Sequence, residues 1–165
     1  MVIISSDHGE NQGELNIYGD HQVADEVTHR IPLIIKGPGV KSGVVDEELH
    51  YNIDLSATLI DLLGGGNFIP EMWDAESFAA TLKEGKPQGR SYLVLSHCVW
   101  SIQRSVRFRN WLLIETYDDG GKEALKSTML FDIDKDPHEL VDLSETHPEV
   151  VKEGRALLSE WFKEN

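Results

Sequence analysis

Four apolar runs in quick succession, Tyr92 to His97, Gln103 to Arg109, Trp111 to Tyr117 and Met129 to Ile133, leave the second half of this chain little choice of architecture. Each has the length of a strand, and Arg109-Asn110 leaves room only for a tight turn between the second and third. Strands with such short connections pair antiparallel, because a parallel pair needs a crossover of a dozen residues or more. Thr146-His147-Pro148-Glu149 then joins a capping-box pattern to a proline at the first helical position. The helix behind it places Val150, Val151, Leu157, Leu158 and Trp161 on one stripe, suited to cover one face of the small sheet.

The first half follows a different pattern. Val2 to Ser6 is a continuous apolar run, as expected for a buried parallel strand. A glycine-containing polar loop follows from Asp7 to about Arg30, and Ile31 to Lys36 forms a second run stopped by Gly37-Pro38-Gly39. Asp54 is placed to cap a helix reaching Gly64, with Leu55, Leu59, Leu62 and Leu63 on one face. A short helix is expected from about Asp74 to Glu84, and Gly85-Lys86-Pro87-Gln88-Gly89 reads as a boundary. The expected organisation is α/β over residues 1–88 and a four-stranded antiparallel sheet with a terminal helix over residues 89–165.

The 165 residues suffice for one domain, or one domain with a small appendage. A net charge of -14 argues against nucleic acid and anionic membranes as main partners, since their phosphates would repel it. No run approaches the roughly 20 apolar residues of a membrane span. Cys98 is the only cysteine, so an internal disulfide is excluded, and a reducing, cytoplasmic setting is compatible with that. With Val99 and Trp100 beside it, Cys98 is expected as a buried structural thiol rather than a nucleophile. Met1-Val2-Ile3-Ile4 reads as a strand cut off at its beginning, the first sign of a fragment.

The chemistry concentrates near the start. Residues 5–29 hold six carboxylates and three histidines, with no Lys or Arg before Arg30. In open α/β sheets ligands bind beyond the carboxyl ends of strands, where Asp7 and His8 stand. Past a strand end the loop can turn both side chains toward one cation, helped by Gly9. A carboxylate-rich surrounding favours Ca²⁺, Mg²⁺ or Mn²⁺, and histidine leaves Zn²⁺ open. The bland alternative is a turn capped by Asp7 with His8 packed on it. His21 or His29 could protonate a leaving group or hold an oxyanion; Asp25 and Glu26 are expected to be solvated. Asp132 to Asp136 imitates a calcium-binding loop, but Pro137 and Leu143 stand where that loop needs glycine and glutamate. Gly64-Gly65-Gly66 lacks the Lys and Ser/Thr of a phosphate loop.

Taken in order, several segments resemble the sulfatases of the alkaline phosphatase superfamily. They are Ser6-Asp7-His8-Gly9-Glu10, Gly19-Asp20-His21, Thr28-His29-Arg30-Ile31-Pro32-Leu33-Ile34 and Gly37-Pro38-Gly39. Asn52 to Leu59 is similar to that family's "D-L-x-P-T-L" helix, with Ser56-Ala57 where many members have proline. Val106 to Trp111 is similar to the first hairpin of its C-terminal subdomain. Leu130-Phe131-Asp132-Ile133, Asp136-Pro137-His138-Glu139 and Leu143 are similar to "L-Y-D-L…D-P-x-E…N-L". Nearly the whole chain is covered, and the fold class implied is the C-terminal part of a sulfatase-like α/β sandwich plus a four-stranded sheet with a terminal helix.

The resemblance implies a divalent metal, most commonly Ca²⁺ and in some members Mn²⁺ or Zn²⁺, with Asp7 and His8 matching the late Asp-His ligand pair. It implies a formylglycine nucleophile, made from Cys or Ser in a C/S-x-P-x-R motif, and a small-molecule sulfate ester as substrate. None of the six prolines fits that motif; Pro148 comes nearest and lacks both nucleophile and arginine. The early aspartate pair of the family has no counterpart either. Near the place of the sulfate-binding lysine stand Asp20 and His21, and the catalytic role is carried to His21. The expectation is a C-terminal sulfatase fragment that does not turn over sulfate esters alone and self-associates through an exposed strand edge. The alternatives are a phosphonate monoester hydrolase or phosphodiesterase of the same superfamily, and a non-catalytic module that binds metal or a partner.

Overall fold

The computed structural model of the chain describes residues 1–164. In order the elements are β1 (Val2–Ser5), β2 (Asn11–Gln12), β3 (Tyr18–Asp20), α1 (Glu26–His29), β4 (Leu33–Lys36), α2 (Asp54–Leu62), α3 (Ala79–Glu84), β5 (Tyr92–Cys98), β6 (Ile102–Phe108), β7 (Trp111–Asp118), β8 (Thr128–Asp132) and α4 (Pro148–Glu164). Short 3-10 turns lie at Glu14–Asn16 and Gly66–Phe68. The mixed α/β character, the four-stranded antiparallel sheet and the terminal helix all form as the pattern of apolar runs requires. Two compact units can be distinguished, one of residues 1–4 and 33–93, the other of residues 5–32 and 94 onward.

In the first unit β1 and β4 form a two-stranded sheet. The expected burial of β1 does not occur: Val2 and Ile4 are 58% and 56% exposed, and Ile34 on β4 is 59% exposed. Within the described residues two strands pair with each other alone, so their apolar faces stay open to water. Asp54 is not the cap expected of it. Its carboxylate turns back to accept the N–H groups of Tyr51 and Glu76, both at 2.7 Å. Arg90 grips the same carboxylate with two N–H groups, at 2.9 and 2.7 Å. Burial alone would raise the pKa of Asp54, but the Arg90 and backbone hydrogen bonds outweigh it and hold it below the usual value. Helix α3 begins at Ala79 rather than near Asp74, because side chains of α2 take the N–H groups before it: Asp54 holds that of Glu76 and Thr58 that of Phe78.

In the second unit the strand order is β5-β6-β7-β8. Strands β6 and β7 pair antiparallel with Phe108 opposite Trp111, and the hairpin between them is closed by Arg109 in the left-handed region at φ 49°. Three successive residues of β7, Leu112, Leu113 and Ile114, are 0% exposed. Successive side chains of a strand point to opposite faces, so both faces of the sheet are covered. One cover is α4: a Cβ on Gly154 would meet Leu113 Cδ2 at 2.7 Å and Phe108 Cε1 at 3.1 Å. The other is the opening segment, whose Ile17 and Val23 share a core with Leu112, Ile114, Leu125, Met129, Phe131 and Ile133. Burying a side chain of this kind contributes about 1.5–3 kcal/mol. The Thr146 hydroxyl donates to Leu143 O at 3.1 Å, away from the capping-box role expected of it. Cys98 is exposed, contrary to expectation, because β5 ends there and Val99 and Trp100 lie on an open turn.

Candidate metal centre

Pairing of β2 with β3 assembles the site. Asn11 lies opposite Asp20 in an antiparallel register, which brings the flanking residues Glu10 and His21 side by side. His21 Nδ1 lies 3.4 Å from Glu10 Oε2. The His21 ring stacks on that of His8, centroids 3.9 Å apart and planes inclined by 27°. Donor atoms of His8, Glu10 and His21 all lie within 4.8 Å of one another. Asp7 stands alongside, its Oδ2 3.8 Å from His8 Nε2.

The imidazole of His8 is oriented from behind. Its Nδ1 lies 2.8 Å from Gly9 O and so donates there, with Glu10 Oε2 3.9 Å from the same nitrogen and Asp7 Oδ2 3.8 Å from Nε2. That bond to Gly9 raises the His8 pKa against the effect of burial, with Asp7 and Glu10 adding to the rise. Asp7 is lowered by hydrogen bonds from its own N–H and that of His8.

Helix α1 clamps the ligand segment. Gly9 N–H donates to Thr28 O at 2.8 Å, and its α-carbon rests so close to Val27 O that an added Cβ would lie 1.7 Å from it. Asp25 caps α1 by accepting the Thr28 N–H at 2.8 Å, and its other oxygen accepts from the Asn11 side-chain amide. The expectation that Asp25 is solvated is thus overturned: it is 0% exposed, and Glu26 beside it is largely covered and ion-paired to Arg107 at 3.3 Å. Behind His21, Ser101 Oγ donates to Gln22 O at 2.7 Å and Ala24 N–H donates to Gln103 Oε1 at 3.0 Å. The segment is therefore fixed at both ends by buried polar contacts, although the donor groups face water.

Of the residues singled out in the sequence, His8 belongs to the group of converging donors with Glu10 and His21, whereas Asp7 stands outside it with an exposed side chain. His21 lies against His8 rather than apart from it. His29 sits with Nδ1 3.0 Å from Asp25 O at the end of α1. Two groups were missed. Glu10 is one more carboxylate in an acidic stretch, and only the strand register reveals its place. His97 of β5 carries a buried Nε2 without a hydrogen-bond partner, and burial, with His29 and His21 nearby, lowers its pKa. The converging set is two imidazoles and one carboxylate, a donor chemistry compatible with a divalent cation, while calcium normally takes 6–8 oxygens and zinc four ligands. Three such donors could supply only one side of a coordination shell.

Comparison with known proteins supplies the wider setting. The family model described as "N-sulphoglucosamine sulphohydrolase, C-terminal" matches residues 13–161. The chain is 36% identical over 89 residues to a multifunctional alkaline phosphatase superfamily protein, PehA, of Trinickia caryophylli, covering 53% of this chain and 17% of the relative. It is 26% identical over 163 residues to human arylsulfatase K, covering 92% of this chain and 29% of the relative. A protein solved in complex with its substrate D-glucosamine-2-N,6-O-disulfate superposes with a TM-score of 0.83 at 22% identity, covering 98% of this chain and 33% of that one. The chain thus spans less than a third of the length of these two curated relatives.

Proposed function

The chain belongs to the N-sulphoglucosamine sulphohydrolase C-terminal family, and from that premise we propose that it serves as the C-terminal part of a metal-dependent sulfuric-ester hydrolase acting on sulfated sugars. The observation that carries this reading is the convergence of His8, Glu10 and His21 where β2 pairs with β3, with Asp7 beside them. Asp7 and His8 would hold the cation together with ligands from elsewhere in the complete enzyme, and Glu10 would close the set on this side. A bound divalent cation would draw charge from the sulfate oxygens and so favour attack at sulfur. Glu10 Oε2 lies 3.4 Å from His21 Nδ1, which leaves Nε2 as the nitrogen that would hold or release a proton at the ester oxygen in this reading. The Gly9 carbonyl and α1 keep these donors in place, so little reorganisation is needed on binding. A formylglycine nucleophile would need a C/S-x-P-x-R motif, which none of the six prolines here fits, and the 165-residue chain alone is expected to leave an aryl sulfate intact.

Sugar sulfates as the substrate class draw support from the family description and from the glucosamine disulfate bound by the structural relative. A phosphonate monoester or phosphodiester hydrolase is the second reading, kept by the fold likeness to a phosphonate monoester hydrolase of Agrobacterium radiobacter, with a TM-score of 0.68 at 22% identity; assaying the complete enzyme on matched sulfate and phosphonate esters separates the two. The test of the metal centre uses the chain itself. Adding Mn²⁺ should broaden the imidazole resonances of His8 and His21 before those of His50 and His147, excess Ca²⁺ should reverse this, and Asp7→Ala with Glu10→Ala should abolish it. Equal broadening of all histidines, or none, would refute the centre.

A further inference from the structure

Glu139 holds a place that nothing so far accounts for. Its backbone is left-handed at φ 55°, a strained conformation for any residue with a side chain, yet the residue is only 3% exposed. Oε1 accepts the N–H of Glu26, the first residue of α1, at 2.8 Å across 113 positions of sequence. Oε2 is buried with no hydrogen-bond partner. The charged groups facing it are Asp25 and Glu26 from α1 and Asp136 from its own turn. Arg107 of β6 answers them through Glu26, whose Oε2 lies 3.3 Å from Arg107 Nε. A carboxylate here would be out of water, beside two or three others, with a single guanidinium near. Burial first, and Asp25 next, push its pKa well above the usual range, outweighing the Glu26 N–H bond, which favours the ionised form.

We propose that Glu139 is a positioning residue: its buried carboxyl seats α1 through the Glu26 N–H, and through α1 the Gly9 to Asn11 segment that carries Glu10, and a negative charge placed on it releases the segment. The path is continuous. Glu139 holds the start of α1 through Glu26 N–H. Helix α1 holds Gly9 through Thr28 O, and holds Asn11 through Asp25. His8 and Glu10 flank Gly9, and His21 rests on both. An ionised Glu139 would repel the Asp25 carboxylate and loosen both grips at once. The effect on cation binding rests on the metal-centre reading; the clamp itself does not.

The test compares the unaltered chain with Glu139→Gln and Glu139→Ala. Amide hydrogen exchange is followed at Gly9 and Thr28, corrected for intrinsic exchange, from about pH 5 to about pH 9. Protection in the unaltered chain should fall by roughly ten-fold or more across that range, while Glu139→Gln, neutral throughout, holds it constant. Glu139→Ala should lack it at every pH, and Leu113 in the sheet should stay protected in all three. Mn²⁺ affinity should drop in Glu139→Ala and be restored in Glu139→Gln. Coincident pH profiles for the unaltered chain and Glu139→Gln would overturn the proposal, and this comparison stands even if Glu139→Ala does not fold. If the profiles differ as expected but no variant binds Mn²⁺, the clamp holds and the metal centre fails. If Mn²⁺ binds and the profiles coincide, the clamp fails alone.

Discussion

Replacing Gly9 by alanine should cost the chain stability and weaken the cation binding proposed above. The added methyl carbon would lie 1.7 Å from Val27 O and 2.9 Å from Val27 C, where ordinary contact begins at 3.4 Å. Relief needs a relative shift on the order of 1–2 Å, and the obstacle is backbone, so no side chain can swing aside. Helix α1 is held by the Asp25 cap and by Glu139, so the shift falls on the Gly9 side. That breaks the Gly9 N–H bond to Thr28 O, worth about 1 kcal/mol, and adds overpacking strain of about 1–3 kcal/mol. The expected loss is about 2–4 kcal/mol, read as a lower urea midpoint at unchanged m-value. Because His8 and Glu10 flank the displaced residue, a shift on the order of 1 Å should lower Mn²⁺ affinity at least roughly ten-fold. A Gly9→Ala chain with the unaltered midpoint and unaltered Mn²⁺ affinity would show that α1 does not set the ligand positions.

Other expectations concern the scaffold. Arg90→Met should cost about 3 kcal/mol in urea unfolding near neutral pH, since it leaves the Asp54 carboxylate buried on backbone donors alone. Because the folded pKa of Asp54 is depressed below 3.8, its contribution is complete above that value and fades as pH falls through the folded value; the gap between the two chains should therefore narrow in acid. Gly154→Leu should cost about 1–3 kcal/mol, and Gly154→Ala less than that, the helix-propensity gain of about 1 kcal/mol partly offsetting the push on Leu113 and Phe108. The open apolar strands β1 and β4 should drive concentration-dependent association, and Ile4→Lys with Ile34→Lys should abolish it in sedimentation velocity runs; a concentration-independent monomer before substitution would count against that expectation.

What the sequence could show was local. The strands of the second half, the hairpin at Arg109-Asn110 and the stripe of α4 are set by period and turn chemistry within a few residues, and they form where expected. His8 stood out because a strand end is a known place for ligands, and it does join the converging donors. Glu10 was not, since a carboxylate among five others carries no mark until β2 and β3 fix which residues face each other. Asp25 was misread for a related reason: its burial depends on Asn11, Thr28 and a helix held by Glu139, and only the first two are near in sequence. Cys98 was judged by its apolar neighbours, which prove to be the exposed tip of a turn. Asp54 had the position of a cap but found better partners in Tyr51, Glu76 and Arg90.

Ile17 and Val23, just before and just after the Tyr18 to His21 stretch, are anchored among Met129, Phe131 and Ile133. A survey of random variants scored by cation uptake would therefore return hits more than a hundred positions downstream of the donors, at aliphatic and aromatic residues that never approach the ion. Such hits would mark the foundation of the centre, and they would be told from its donors by recovering uptake at low temperature or in stabilising osmolyte.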